Sequence, residues 1–140
     1  FVPRSGVCMN KIDHLGIAVA DLNAASQRYH ELGFAFHGSE RVDEQGVTVA
    51  FFECGESHIE LLEPTHDQSP IAKFLAKRGP GIHHLCIEVD DIEAALADYK
   101  SKGIQLINPE PVIGAGGCRV AFVHPRATEG VLLELKEKMK

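Results

Sequence analysis

At 140 residues, with 44% hydrophobic and 24% charged positions, the chain has the size and apolar content of one domain with a real core. No stretch approaches the roughly 20 apolar residues that span a bilayer and the N-terminus lacks a secretory layout, which predicts a cytoplasmic protein with no membrane partner. A net charge of −6 without any run of Lys or Arg excludes nucleic acid, whose phosphates require a basic stripe.

Residues 1–8 read as an expression-tag remnant, because Val2-Pro3-Arg4-Ser5-Gly6 looks like a protease-site scar ahead of a start at Met9. An alternating run from Ile12 to Val19 predicts the first strand, with Leu15, Ile17 and Val19 on one face and His14, Gly16 and Ala18 on the other. Asp21 then caps a helix over Leu22 to Leu32 that stops at Gly33. Strands follow near Phe34 to Val42, Val47 to Cys54 and Ser57 to Glu63. The connector carries a short helix at Pro70 to Arg78, with Pro70 suited to a first helical position and Gly79-Pro80 ending it. The pattern then begins again: strand Ile82 to Val89, capping Asp91, helix Ile92 to Lys102, Gly103, and strands Ile104 to Ile107, Arg119 to His124 and Val131 to Lys136.

That return is a duplication. At an offset of 70 residues His14/His84, Leu15/Leu85, Ile17/Ile87, Val19/Val89, Asp21/Asp91, Ala24/Ala94, Ala25/Ala95, Tyr29/Tyr99 and Gly33/Gly103 are identical, and Ile59-Glu60-Leu61 answers Leu133-Glu134-Leu135. The chain is therefore read as α+β, a single domain over 9–140. It has module one at 9–63, a connector at 64–80 and module two at 81–140, two tandem βαβββ units forming an eight-stranded open cup.

Strand phase places His14, Glu60, His84 and Glu134 on the face away from the helices, inside the cup. One His or Glu in such a place is ordinarily a satisfied interior residue, but carboxylates on central strands are costly unless paired or metal-bound. Four repeat-related positions favour one divalent ion per chain. Neutral imidazoles and ionised carboxylates suit Co²⁺, Mn²⁺, Ni²⁺ or Mg²⁺ alike, and in an octahedral site four such ligands leave two positions open for catalysis. His83 is out of phase with His84 and reads as structural, His58 as exposed. His124, at a strand end, reads as either structural or a substrate contact, and Gly114, Gly116 and Gly117 form a loop able to approach a ligand. The four cysteines, Cys8, Cys54, Cys86 and Cys118, form no C-x-x-C and read as reduced thiols, three of them buried.

Six motifs stand out: Ile12-Asp13-His14-Leu15-Gly16-Ile17-Ala18-Val19, Glu60-Leu61-Leu62-Glu63-Pro64, Ser69 to Leu75, His83-His84-Leu85-Cys86-Ile87-Glu88-Val89, Phe122-Val123-His124-Pro125 and Gly130 to Leu135. Together they resemble the vicinal-oxygen-chelate superfamily and, within it, the methylmalonyl-CoA epimerase family. The resemblance implies His14, His84 and Glu134 as metal ligands and Glu60 at a ligand position filled by Gln or Glu. It also implies a homodimer, and inversion of methylmalonyl-CoA at the carbon between thioester and carboxylate through a metal-stabilised enolate. Members with Gln at the ligand position often carry a Glu proposed as the base on the neighbouring strand; here that position is Val49. Glu60 and Glu134 are therefore assigned as both ligands and acid/base groups. Lys73, Lys77, Arg78 and Arg119 are taken as candidates for the CoA phosphates. A glyoxalase I-like lactoylglutathione lyase and a non-catalytic binding protein of the same fold stay open as alternatives.

Overall fold

The computed structural model describes residues 7–139. The assigned tag remnant thus lies outside the described residues except for Val7 and Cys8, and Val7 packs against the core of module two. Module one contains β1 (Met9–Ala18), α1 (Leu22–Glu31), β2 (Ala35–Val42), β3 (Val47–Cys54) and β4 (Ser57–Pro64). After α2 (Pro70–Arg78), module two contains β5 (Gly81–Val89), α3 (Ile92–Ser101), β6 (Val112–Ile113), β7 (Arg119–Val123) and β8 (Leu133–Glu137). The caps fall where side-chain chemistry puts them. Asp21, Ser69 and Asp91 each accept from the backbone N–H three residues on, at 3.1, 3.1 and 3.0 Å.

All eight strands form one sheet in the order β2-β3-β4-β1-β5-β8-β7-β6. The β1–β4 and β5–β8 pairs are parallel, and the antiparallel β1–β5 pair joins the two modules at the centre. The expected strand phase holds. Leu15, Ile17 and Val19 pack with Leu22, Ala25 and Tyr29 of α1, while Val89, Ala121, Val123 and Leu135 pack with Ile92, Ala95, Leu96 and Tyr99 of α3. On the opposite face Ala18, Val49 and Leu62 meet Ile71 and Phe74, so α2 closes one end of the cup. Among the described residues no helix is long and apolar enough to cross a membrane.

Two expectations need correction. The strand placed at Ile104 to Ile107 is an extended loop making one bridge, Leu106 to Val123, and the second strand of module two is the two-residue β6. Both Ile107 and Asn108 donate to the single carbonyl of Phe122, and Pro109 and Pro111 then lack the N–H a ladder needs. Three of the four thiols are expected from the sequence to be buried, but Cys54 is exposed beside the β3–β4 turn and Cys8 is exposed too, so only Cys86 and Cys118 are buried; all four are free thiols.

Candidate metal centre

The register of the four central strands sets the site. Glu60 on β4 stands opposite Gly16 on β1, which stands opposite His84 on β5; Glu134 on β8 stands opposite Cys86 on β5, which stands opposite His14 on β1. Each row is a glutamate, a small residue and a histidine, and the duplication relates one row to the other. The small middle residue lets the flanking side chains lean over it. A Cβ at Gly16 would lie 2.1 Å from Cε1 of His84.

His14, Glu60, His84 and Glu134 are all buried on the cup floor. Nε2 of His14 and Nε2 of His84 are 3.1 Å apart, and Glu134 Oε1 lies 3.2 and 3.1 Å from them. This near-equilateral triangle matches adjacent donors about an octahedral ion, roughly 3.0 Å apart for bonds of about 2.1 Å. Glu134 Oε1 is buried with no well-directed hydrogen bond among the described residues, as an atom meant for a cation would be. Those three residues are brought together around one point. Glu60 is placed differently: its Oε2 lies 3.0 Å from the other nitrogen of His14, Nδ1, and 2.8 Å from Nε2 of His58.

The site favours positive charge. Burial alone would lower the pKa of His14, but the hydrogen bond to Asp13 and the nearby negative charges of Glu134 and Glu60 outweigh it and raise it to about 10. Burial likewise works to raise Glu134, yet the two imidazoles hold it down at about 2. A divalent ion can replace the proton His14 would otherwise hold, since neutral imidazole is its ligand form.

Over this floor lies a cavity of about 560 Å³, walled by Gln45, Val49 and Phe51 from module one and by Gly116, Cys118 and Lys136 from module two. A second, mainly apolar cavity of about 330 Å³ shares His84 and is lined by Val47, Ile71, Ile107 and Phe122 among others. Val49 is apolar and buried on the cup wall, so no base stands there. Lys73, Lys77, Arg78 and Arg119 line neither cavity, and Arg119 is paired with Glu93 at 3.1 Å and Glu137 at 3.4 Å. His124 accepts from the N–H of Arg126 at 3.0 Å and caps a short turn, a structural role.

Three site residues escaped the sequence reading. His58, read as exposed, is half-buried and stacks on His14 with ring centroids 5.2 Å apart. Its place two residues before Glu60, in the same phase, was a readable signal. Lys136 is in phase with Glu134 in the same way. Asp13, buried beside His14, had none, because alternation assigns it to the other face.

A curled mixed sheet of two βαβββ modules with a buried His/Glu cluster on its concave face is the architecture of vicinal-oxygen-chelate proteins. Residues 13–122 match the Glyoxalase/Bleomycin resistance protein/Dioxygenase superfamily, and the chain belongs to it. It is 42% identical to the mitochondrial methylmalonyl-CoA epimerase of Dictyostelium discoideum, over 93% of this chain and 80% of that one. It also superposes on the methylmalonyl-CoA epimerase of Mycobacterium tuberculosis with a TM-score of 0.92 and 37% identity, covering 99% and 94% of the two chains. A methylmalonyl-CoA epimerase solved with methylmalonyl-CoA and NH₄⁺ matches at a TM-score of 0.88 and 38% identity, over 94% and 96%.

Proposed function

We propose that this chain is a metal-dependent epimerase that inverts C2 of methylmalonyl-CoA by removing a proton from one face and returning one to the other. The observation that carries the reading is the pair of repeat-related rows, which sets a buried carboxylate on each flank of the two central histidines. Inversion through a planar intermediate needs a proton-handling group on each side, and strand order puts Glu60 and Glu134 on opposite sides of the β1–β5 pair. The likeness to epimerases along most of the chain supports the substrate.

His14, His84 and Glu134 would hold a divalent ion, and Glu60, which lies on the Nδ1 side of His14, would join them as fourth ligand only after its side chain turns toward Nε2. When bound, the ion supplies Lewis acidity that stabilises negative charge on the thioester oxygen. One glutamate, ionised, takes the proton from C2, the C–H electron pair moves into the thioester as an enolate, and the other glutamate, which must enter the cycle already protonated, gives its proton to C2 from the opposite face. Val49 and Phe51 form an apolar wall beside the site that would limit the access of water to the enolate. Nitrogen and oxygen donors of this set take Co²⁺, Mn²⁺, Ni²⁺ or Mg²⁺. Four free thiols suit a reducing compartment, the cytoplasm, and the working form is a homodimer.

The reading is tested by proton NMR of methylmalonyl-CoA in D₂O with protein and each ion. The C2 proton signal should disappear and the methyl doublet collapse to a singlet; turnover of methylglyoxal with glutathione, and no exchange at C2, would overturn it in favour of a lyase. Glu60→Gln and Glu134→Gln keep an oxygen ligand but delete the base. Each metallated variant should lose inversion yet exchange the proton of one enantiomer, the two variants preferring opposite ones. Normal inversion by metallated Glu60→Gln would remove Glu60 from the acid/base pair.

A further inference from the structure

Each of the two central histidines is preceded by a side chain turned against its strand's alternation, which would aim Asp13 and His83 at the helix-covered face. The β1–β5 register slips at both places. On β1, Asp13 is an extra residue between the pairs Ile12–Ile87 and His14–Cys86; on β5, His83 is an extra residue between the pairs Gly16–His84 and Ile17–Ile82. An extra residue in one strand of a pair re-aims its side chain, and bulges of this kind gather at functional sites. Here both extra residues turn toward the histidine that follows. Asp13 Oδ2 lies 2.7 Å from Nδ1 of His14, and His83 Nδ1 lies 2.9 Å from Nδ1 of His84.

Both are held from behind. Lys136 of module two places its Nζ 3.2 and 3.3 Å from the two oxygens of Asp13, which is 4% exposed and would otherwise be a costly buried charge. The ring of His83 meets Phe74 of α2 edge-on, with centroids 5.1 Å apart. Glu60 Oε2 also approaches Nδ1 of His14, at 3.0 Å, but Asp13 is nearer and is tied to β8, whereas Glu60 is shared with His58.

A histidine carries one proton when neutral, and whichever ring nitrogen is hydrogen-bonded to an acceptor keeps it. We propose that Asp13 and His83 are a repeat-related pair of positioning residues, each holding the proton on Nδ1 of the following histidine so that both Nε2 lone pairs meet one cation. The pair is chemically unequal: a carboxylate behind His14 strengthens that ligand more than an imidazole behind His84 does. Outer partners of metal-bound histidines contribute about 10- to 100-fold in metal affinity. The inference rests on the metal reading above.

The test uses the whole chain. In the Zn²⁺-loaded parent, long-range ¹H–¹⁵N correlation should find the proton on Nδ1 and ligation at Nε2 for both rings; ligation through Nδ1 of either ring would overturn the proposal without any variant. Chelator competition for Co²⁺ should show about 100-fold weaker binding in Asp13→Ala, about 10-fold in His83→Leu and Lys136→Met, and partial recovery in Asp13→Asn, which keeps an acceptor oxygen. Folded variants that bind Co²⁺ within twofold of the parent would likewise overturn it. A parent that binds neither ion would instead remove the metal reading on which it stands.

Discussion

Gly16 and Cys86 occupy the same place in the two rows, between a glutamate and a histidine, and their tolerances differ. The ring of His84 lies across Gly16 so closely that any Cβ there must displace it, because the clashing atoms belong to the imidazole itself rather than to a flexible chain end. Gly16→Ala is expected to weaken Co²⁺ binding at least ten-fold, on the scale of other ligand misplacements. Cys86 is buried and its thiol is pushed well up by burial and by Glu134 and Asp13, so it fills space as a neutral group. Cys86→Ala should therefore keep metal affinity within twofold and lose about 1–2 kcal/mol of stability as a small cavity. Chelator competition and thermal unfolding of the two variants check the contrast; equal metal affinities would deny Gly16 its role.

At the level of elements, duplication did not produce equivalent halves. The two outer helices share a capping Asp and a Gly stop, yet α1 has no buried residue while α3 buries Ile92, Ala95, Leu96 and Tyr99. Backbone amides open locally where few apolar contacts must be broken. Amides of α1 are expected to exchange with deuterium at least ten-fold faster than those of α3, and equal protection by mass spectrometry would contradict this. The second module's irregular stretch has a similar origin in local chemistry. Asn108-Pro109-Glu110-Pro111 lacks the donors to continue a ladder, so alternation at Ile104 to Ile107 could suggest a strand but not sustain one.

Across the whole molecule, the antiparallel β1–β5 pair converts two half-sites into one. The strand β2 ends the sheet, meeting module two where Glu40 accepts from the N–H of Gly116, and it carries Phe36, 56% exposed, while Leu32 just after α1 is 73% exposed. A sheet edge flanked by apolar side chains favours pairing with a second copy, and light scattering at micromolar concentration should give twice the chain mass. A monomer mass would count against it. The repeat, the strand phase, the helix caps and the cup-facing set His14, Glu60, His84 and Glu134 were all legible in the sequence, because duplication and period-two alternation are properties of neighbouring residues. His58 and Lys136 were legible by the same rule. The orientation of Asp13 and His83 was decided only when β1 and β5 met, since a bulge is a mismatch between two strands and neither strand alone contains it. The same holds for the side of His14 that Glu60 approaches. Both depend on how chains far apart in sequence come into register, which a pattern of nearby residues does not encode.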